Sequence, residues 1–233
     1  MRIVIIANGD PPGRDEVARW LGGEAMLICA DGGARTALTL GLTPAHVIGD
    51  FDSLDEAALA ELTQRGAQLH RHPTRKDETD LELALLFAAR ALRDAESPEV
   101  VVLGARGGRV DHELANMLLL AMPALKRANV SLAHGCERIF LIDARDQPAK
   151  LTLRGSAGDT VSLLPFGGDA HGIRTTGLEY PLRDESLFVG PARGVSNVLL
   201  GEEATVSLRQ GMLLCVIIHH ALTTDDRTNQ SAR

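Results

Sequence analysis

Aromatic side chains are scarce in this chain, at 3% of 233 residues, and Trp20 and Tyr180 are the only members of their types. A contact that stacks on a heterocyclic ligand is therefore hard to assign from sequence. Cysteines are few and far apart: Cys29, Cys136 and Cys215 lie in apolar, strand-like surroundings with no Cys-x-x-Cys spacing. That removes the usual zinc and redox-motif readings and leaves buried free thiols in a reducing compartment. Long apolar runs are missing too. The N-terminal run, residues 3–7, is too short for a signal-peptide core or a membrane span, so a cytoplasmic location without membrane association is expected. Positive charge is not in excess, because the formal net charge is −7, which argues against nucleic acid as a partner and suits a divalent metal or a cationic substrate. Nucleophile signatures of the Gly-x-Ser-x-Gly or Ser-x-x-Lys type do not occur, so covalent hydrolase chemistry has little support.

What remains is an ordinary globular composition, 45% hydrophobic and 24% charged, in a length that suits one large or two small domains. Short apolar runs at residues 3–7, 26–30, 45–48, 67–70, 100–103 and 130–133 read as strands. Between most of them lie helix-like stretches at 15–21, 34–40, 55–65, 80–93 and 111–121. This alternation predicts βαβ units and an α/β domain with a mostly parallel sheet, over residues 1–142. The helix at 80 carries Leu81, Ala84, Leu85, Ala88 and Leu92 at helical spacing, and Thr79 with Glu82 fits a capping box. Asp111 opens the next helix, whose apolar stripe is Ala115, Leu118, Leu119 and Met122. After Asp143 the texture changes to short β-type runs at 150–153, 160–165, 197–200, 205–208 and 213–218, separated by Gly, Pro and Asp. They predict a small all-β sandwich or barrel over residues 149–222, followed by a polar, disordered tail at 223–233.

Ligands of open parallel sheets bind beyond the carboxyl ends of the strands. Four acidic or glycine-rich segments fall there: Ala30-Asp31-Gly32-Gly33, Gly49-Asp50-Phe51-Asp52-Ser53, Lys76-Asp77-Glu78-Thr79-Asp80, and the run from Gly104 to His112. In extended backbone, side chains two apart point the same way, so Asp50 and Asp52 are expected to present two carboxylates on one side. Two like charges that close repel unless a cation lies between them, and Mg²⁺ commonly takes one or two carboxylates with substrate phosphates. The Gly104–Arg109 stretch lacks both P-loop and dinucleotide spacing, yet its glycines allow close approach to an anion, and Arg106 and Arg109 supply forked donors. Each element also has a plainer reading: Asp31 as a turn residue, Asp80 and Asp111 as complements to helix dipoles, Lys76 as a surface charge, His112 as a helix-start residue.

Taken together these four motifs, in order and spacing, resemble the catalytic domain of the thiamin pyrophosphokinase family. The later segments Gly177-Leu178-Glu179-Tyr180-Pro181-Leu182 and Gly194-Val195-Ser196-Asn197 resemble that family's thiamin-binding β domain. The resemblance implies transfer of pyrophosphate from ATP, the co-substrate, to the hydroxyl of thiamin, giving thiamin diphosphate and AMP. It also implies a homodimer with the site at the subunit interface. Carried over by position, Asp50, Asp52 and Asp80 hold Mg²⁺ and the polyphosphate, and Asp31 supports the same catalytic acidic centre. Lys76, Arg106, Arg109 and Asp111 face the nucleotide, while Ser196 and Asn197 contact thiamin. The alternatives are a metal-dependent nucleotide-sugar glycosyltransferase, on the strength of Asp-Phe-Asp, and a non-enzymatic thiamin- or nucleotide-binding regulator.

Overall fold

A computed structural model describes residues 1–220 and residue 222. The expected disordered tail at 223–233 lies outside the described residues. The chain divides into two units, Met1–His134 and a second that begins at Gly135.

The first unit is a parallel sheet with helices in its connections. Strands β1 (Arg2–Ile6), β2 (Ala25–Ala30), β3 (His46–Gly49), β4 (Gln68–Arg71), β5 (Glu99–Leu103) and β6 (Asn129–His134) lie in the order β6-β5-β1-β2-β3-β4. Every pairing among them is parallel, which follows from the intervening helices α1 (Arg14–Trp20), α2 (Gly33–Thr39), α3 (Glu56–Gln64), α4 (Asp80–Ala91) and α5 (Val110–Leu119). Ile3 through Ile6 and Val100 through Leu103 are wholly buried, as expected of strands covered on both faces. The chain runs outward from β1 to β4 and then returns to β5 on the other side of β1. That reversal opens a crevice at the carboxyl ends of β1 and β5.

Helix α4 forms as its sequence predicts. Thr79 Oγ1 accepts from the Glu82 N–H at 3.1 Å, and Leu81, Ala84, Leu85 and Ala88 are buried. Helix α5 does not bury the stripe expected of it. None of its residues is buried, and Val110, Leu114 and Leu118, four apart on one face, are 71%, 57% and 60% exposed. Helical periodicity identified the element correctly but says nothing of what covers its apolar face.

The second unit consists of antiparallel strands: β7 (Glu137–Ala144), β8 (Ala149–Arg154), β9 (Thr160–Pro165), β10 (Ala170–Thr176), β11 (Arg183–Leu187), β12 (Asn197–Val198), β13 (Glu203–Leu208) and β14 (Gly211–Ile218). Within this unit one sheet is ordered β12-β9-β14-β7 and the other β11-β10-β13-β8. Val161, Leu213 and Ile217 of the first sheet share a core with Leu153, Ile173, Val206 and Leu208 of the second, which makes a sandwich. Residues 137–142 are expected in the first domain from the sequence. The strand there instead pairs along its whole length with β14, so the boundary falls after His134.

No disulfide joins Cys29, Cys136 and Cys215. Burial raises the thiol pKa of Cys29 and pushes that of Cys215 up to about 12, so neither is a nucleophile.

Candidate active site

The carboxyl ends of the parallel strands enclose a cavity of about 670 Å³, lined on one side by Asp31, Asp50, Asp52 and Asp80 and on the other by Gly104, Gly107, Gly108 and Arg109. Carboxylate oxygens of Asp31, Asp50 and Asp52 lie within 4.8 Å of one another, a spacing a single cation could bridge.

The convergence of Asp50 and Asp52 does not come from strand alternation. Strand β3 ends at Gly49, and Phe51 between the two acids is left-handed, with φ +67°. The loop is anchored because the Phe51 ring is only 4% exposed and packs in the core of the first unit. The Asp52 N–H donates to Asp50 Oδ1 at 3.1 Å, and Ser53 Oγ donates to Asp52 Oδ1 at 3.2 Å. The bond from the Asp52 N–H, together with nearby Lys76, holds the Asp50 carboxyl below the usual range.

Asp31 follows β2 and is 4% exposed, and its N–H is bonded to the Ile48 carbonyl at 2.8 Å. Its Oδ1 is buried without a hydrogen-bond donor. Burial, aided by the charges of Asp80 and Asp52, raises its pKa. A buried acceptor that lacks a partner, beside two further carboxylates, is the setting a divalent cation satisfies.

Gly49 makes this proximity possible. A Cβ there would lie 2.9 Å from Asp31 Cβ and 3.2 Å from Asp80 Cγ. Asp80 stands in the first turn of α4, with its Oδ1 3.0 Å from Lys76 Nζ. The Lys76 ammonium is the positive partner of this buried carboxylate oxygen. Lys76 Nζ is also 3.7 Å from Asp50 Oδ2. Burial alone would depress the ammonium, but Asp80 and Asp50 outweigh it and raise its pKa. Lys76 is therefore the resident cation of the acidic cluster and not a surface charge.

Across the cavity, Gly104, Gly107 and Gly108 all have positive φ. Gly107 also permits close approach, since a Cβ would fall 2.0 Å from the Asp10 carboxylate. Arg109 forks onto Asp111 through Nε and Nη2, and this exposed pair lowers the Asp111 carboxyl to about 2. Arg106 Nε donates to Glu113 on α5 at 2.8 Å, and Arg106 is not among the residues that line the cavity. A forked donor in a glycine-rich loop is ambiguous in sequence because an acid seven residues on can capture it.

Four polar side chains of the cavity carry no sequence signal of their own: Asn8, Asp10, Thr74 and Asn116. Asn8 and Asp10 follow β1 and stand at the same sheet edge as the other motifs; that topological rule alone could have pointed to them. Asn116 Nδ2 donates to the Ala105 carbonyl at 2.7 Å and holds the glycine-rich loop.

Ser196 and Asn197 lie in the second unit. Ser196 is exposed with φ +62°. The Asn197 amide is engaged locally: Oδ1 accepts from the Tyr180 N–H at 3.0 Å, and Nδ2 donates to the Tyr180 carbonyl at 2.7 Å. Asn197 thus fixes the Tyr180 backbone beside a small cavity of about 150 Å³.

Comparison with known proteins accords with this layout. A model described as thiamin pyrophosphokinase, catalytic domain, matches residues 17–132, and one described as thiamin pyrophosphokinase, vitamin B1 binding domain, matches residues 147–213. The thiamine pyrophosphokinase of Bacillus subtilis is 29% identical over 204 residues, 87% of this chain and 88% of that protein. Thiamine pyrophosphokinase 1 of Oryza sativa is 29% identical over 200 residues, 78% of this chain and 74% of that protein. The crystal structure of the Bacillus subtilis protein superposes with a TM-score of 0.78 at 26% identity, covering 94% of this chain and 99% of that one. That of the yeast protein, at 17% identity, shares the fold with a TM-score of 0.75, covering 93% and 86%. With both family models matched in order over most of its length, the chain belongs to the thiamin pyrophosphokinase family.

Proposed function

We propose that this protein transfers the pyrophosphoryl group of ATP to the hydroxyl of thiamin, releasing thiamin diphosphate and AMP. The observation that carries the reading is the three-carboxylate cluster facing a glycine-rich loop across one cavity, in a chain of this family. Attack by the hydroxyl oxygen on the β-phosphorus breaks the bond to the oxygen bridging the α- and β-phosphorus atoms, which leaves with AMP. The hydroxyl proton passes to a carboxylate of the cluster. Such a transfer needs positioning and charge neutralisation more than a covalent intermediate.

Asp31, Asp50 and Asp52 would hold Mg²⁺, with Asp80 beside them; the donor set is all oxygen, as that ion requires. When bound, the ion supplies neutralisation of phosphate charge. The chain's own contributions are separate. Lys76 sits among the carboxylates, where its ammonium would also meet oxygens of a bound polyphosphate. Arg109, at the cavity wall, can exchange Asp111 for phosphate by the same forked geometry. Gly107 and Gly108 bring backbone close to the polyphosphate. On the thiamin side, Ser196 and the Tyr180 segment fixed by Asn197 are the contacts proposed for the second unit.

A homodimer belongs to the same reading. Val110, Leu114 and Leu118 on α5, and Phe188, Val189, Val195 and Leu200 in the second unit, are exposed apolar residues of the sort that assembly covers. Among the described residues no helix is long and apolar enough to cross a membrane. A cytoplasmic location accords with three cysteines that form no disulfide. The glycosyltransferase and binding-only alternatives find no support in the comparisons.

The test is to incubate purified protein with ATP, Mg²⁺ and thiamin and to quantify AMP and thiamin diphosphate by chromatography. Both should accumulate in equal amounts and stop on chelation with EDTA; neither rising above a no-enzyme control overturns the reading.

A further inference from the structure

The loop that carries Asp50 and Asp52 is gripped from behind by two arginines. Arg71, the last residue of β4, donates from Nη1 to the Asp50 carbonyl at 2.9 Å and lays its guanidinium over the Phe51 ring, 4.7 Å from the centroid. Arg35, in the first turn of α2, donates to the Ser53 carbonyl. Each guanidinium is directed at a backbone oxygen, so the carboxylate oxygens stay available to a ligand. Both arginines are exposed on their outer sides, so neither is there to fill a core.

Between the two grips lies Phe51, buried and left-handed at φ +67°. For a bulky residue that conformation is disfavoured and persists only where the surroundings over-determine it. The turn it makes also brings Asp50 and Asp52 close to Asp31, adding mutual repulsion of three carboxylates. Left alone, strain and repulsion act together to open the loop. The Phe51 ring anchors it on the core side, and the arginines close it on the solvent side.

We propose that Arg71, assisted by Arg35, is a positioning residue for the divalent-cation site, holding the acidic loop in its left-handed turn before the substrates arrive. This rests on the assignment of Asp50 and Asp52 as metal ligands. The proposal has a sign that simple charge does not share. Removing an arginine near an acidic cluster should, by Coulomb attraction alone, strengthen cation binding. Losing a positioning residue should weaken it.

The experiment compares wild type, Arg71→Met, Arg71→Lys and Asp52→Asn. Mn²⁺ affinity is measured by electron paramagnetic resonance with α,β-methylene-ATP, which cannot be cleaved at the reacting bond. The Mg²⁺ concentration for half-maximal rate, the KM for thiamin and the melting temperature complete the set. Arg71→Met should weaken Mn²⁺ binding by roughly 10-fold or more, as loss of a residue that orients metal ligands does, and raise the Mg²⁺ requirement in parallel. Its KM for thiamin should stay within about twofold and its melting temperature within about 3 °C of wild type, because the Arg71 contacts are exposed and local. Arg71→Lys, which keeps the charge but not the planar stack, should fall between wild type and Met. Mn²⁺ binding by Arg71→Met as tight as wild type, or tighter, overturns the proposal. So does full recovery in Arg71→Lys, which would make charge the operative property. Wild type and Asp52→Asn binding Mn²⁺ equally well would defeat the metal assignment itself. Loss of binding in Asp52→Asn with none in Arg71→Met defeats the positioning role alone.

Discussion

Gly49→Ala puts one methyl group at the narrowest point of the acidic cluster. The new Cβ would stand 2.9 Å from Asp31 Cβ and 3.2 Å from both Asp31 Cα and Asp80 Cγ. Carbon atoms in contact prefer about 3.5–4.0 Å, so neighbouring groups must retreat by about 0.5–1 Å. Neither neighbour is free to do so cheaply. Asp31 is buried and bonded through its N–H to Ile48, and Asp80 is fixed in the first turn of α4. Overpacking of this kind costs about 1–3 kcal/mol. For a chain of this size that lowers the melting temperature by about 2–12 °C, so the protein remains folded at 25 °C. A misplacement near 1 Å at a reacting centre costs about 100-fold in rate. The expected result at 25 °C is therefore a folded protein with kcat lowered about 100-fold. Gly66→Ala is the control, because Gly66 has φ +93° but nothing within 4 Å of its added Cβ. It should lose stability by about 1 kcal/mol with kcat unchanged. Steady-state kinetics beside circular dichroism melts decide the matter. Gly49→Ala with kcat within threefold of wild type would refute the claim that Asp31 and Asp80 are set by close approach across Gly49.

Two further outcomes follow from the same geometry. Asp31→Asn should lower kcat by on the order of 100-fold or more while leaving the melting temperature equal or higher, since it removes a buried charge beside Asp52 and Asp80; a matched fall in both would instead assign Asp31 a structural role. His46 and His70 share a hydrogen bond of 3.0 Å and pack against Phe87, and burial followed by the neighbouring His70 lowers the pKa of His46. Above pH of about 6.5 His46 is neutral in folded and unfolded chains alike and contributes nothing to pH dependence. As pH falls through that value the unfolded chain takes up the proton first, so stability declines until the depressed folded pKa is passed. Urea midpoints between pH 7 and 5 should fall for wild type and less steeply for His46→Gln; parallel slopes would remove the His46 contribution.

The sequence made the parallel first unit and its functional edge legible because the signals there are local. Apolar runs alternate with helical stripes, and Thr79 caps α4 where its spacing to Glu82 says it should. The acidic motifs could be placed together because carboxyl ends of parallel strands share an edge. What stayed hidden depends on long-range placement. The pairing of residues 137–144 with β14 spans some seventy positions, and no local pattern assigns that strand to the second unit. Strands β10 and β11 are polar and interrupted by Gly172 and Asp184, so they lack the alternation that reveals a strand. The left-handed Phe51 was unreadable for a different reason: a bulky residue there runs against its own preference, and only the surrounding contacts make it pay.

The central claim is attack at the β-phosphorus by a hydroxyl held beside the acidic cluster. Parallel reactions with ATP carrying ³²P at the β or the γ position, in the presence of Mg²⁺ and thiamin, test it most directly. Both labels should appear in thiamin diphosphate, in equal yield and matched by unlabelled AMP. Label from the γ position alone in the thiamin product, with β-labelled ADP as the other product, would contradict the account.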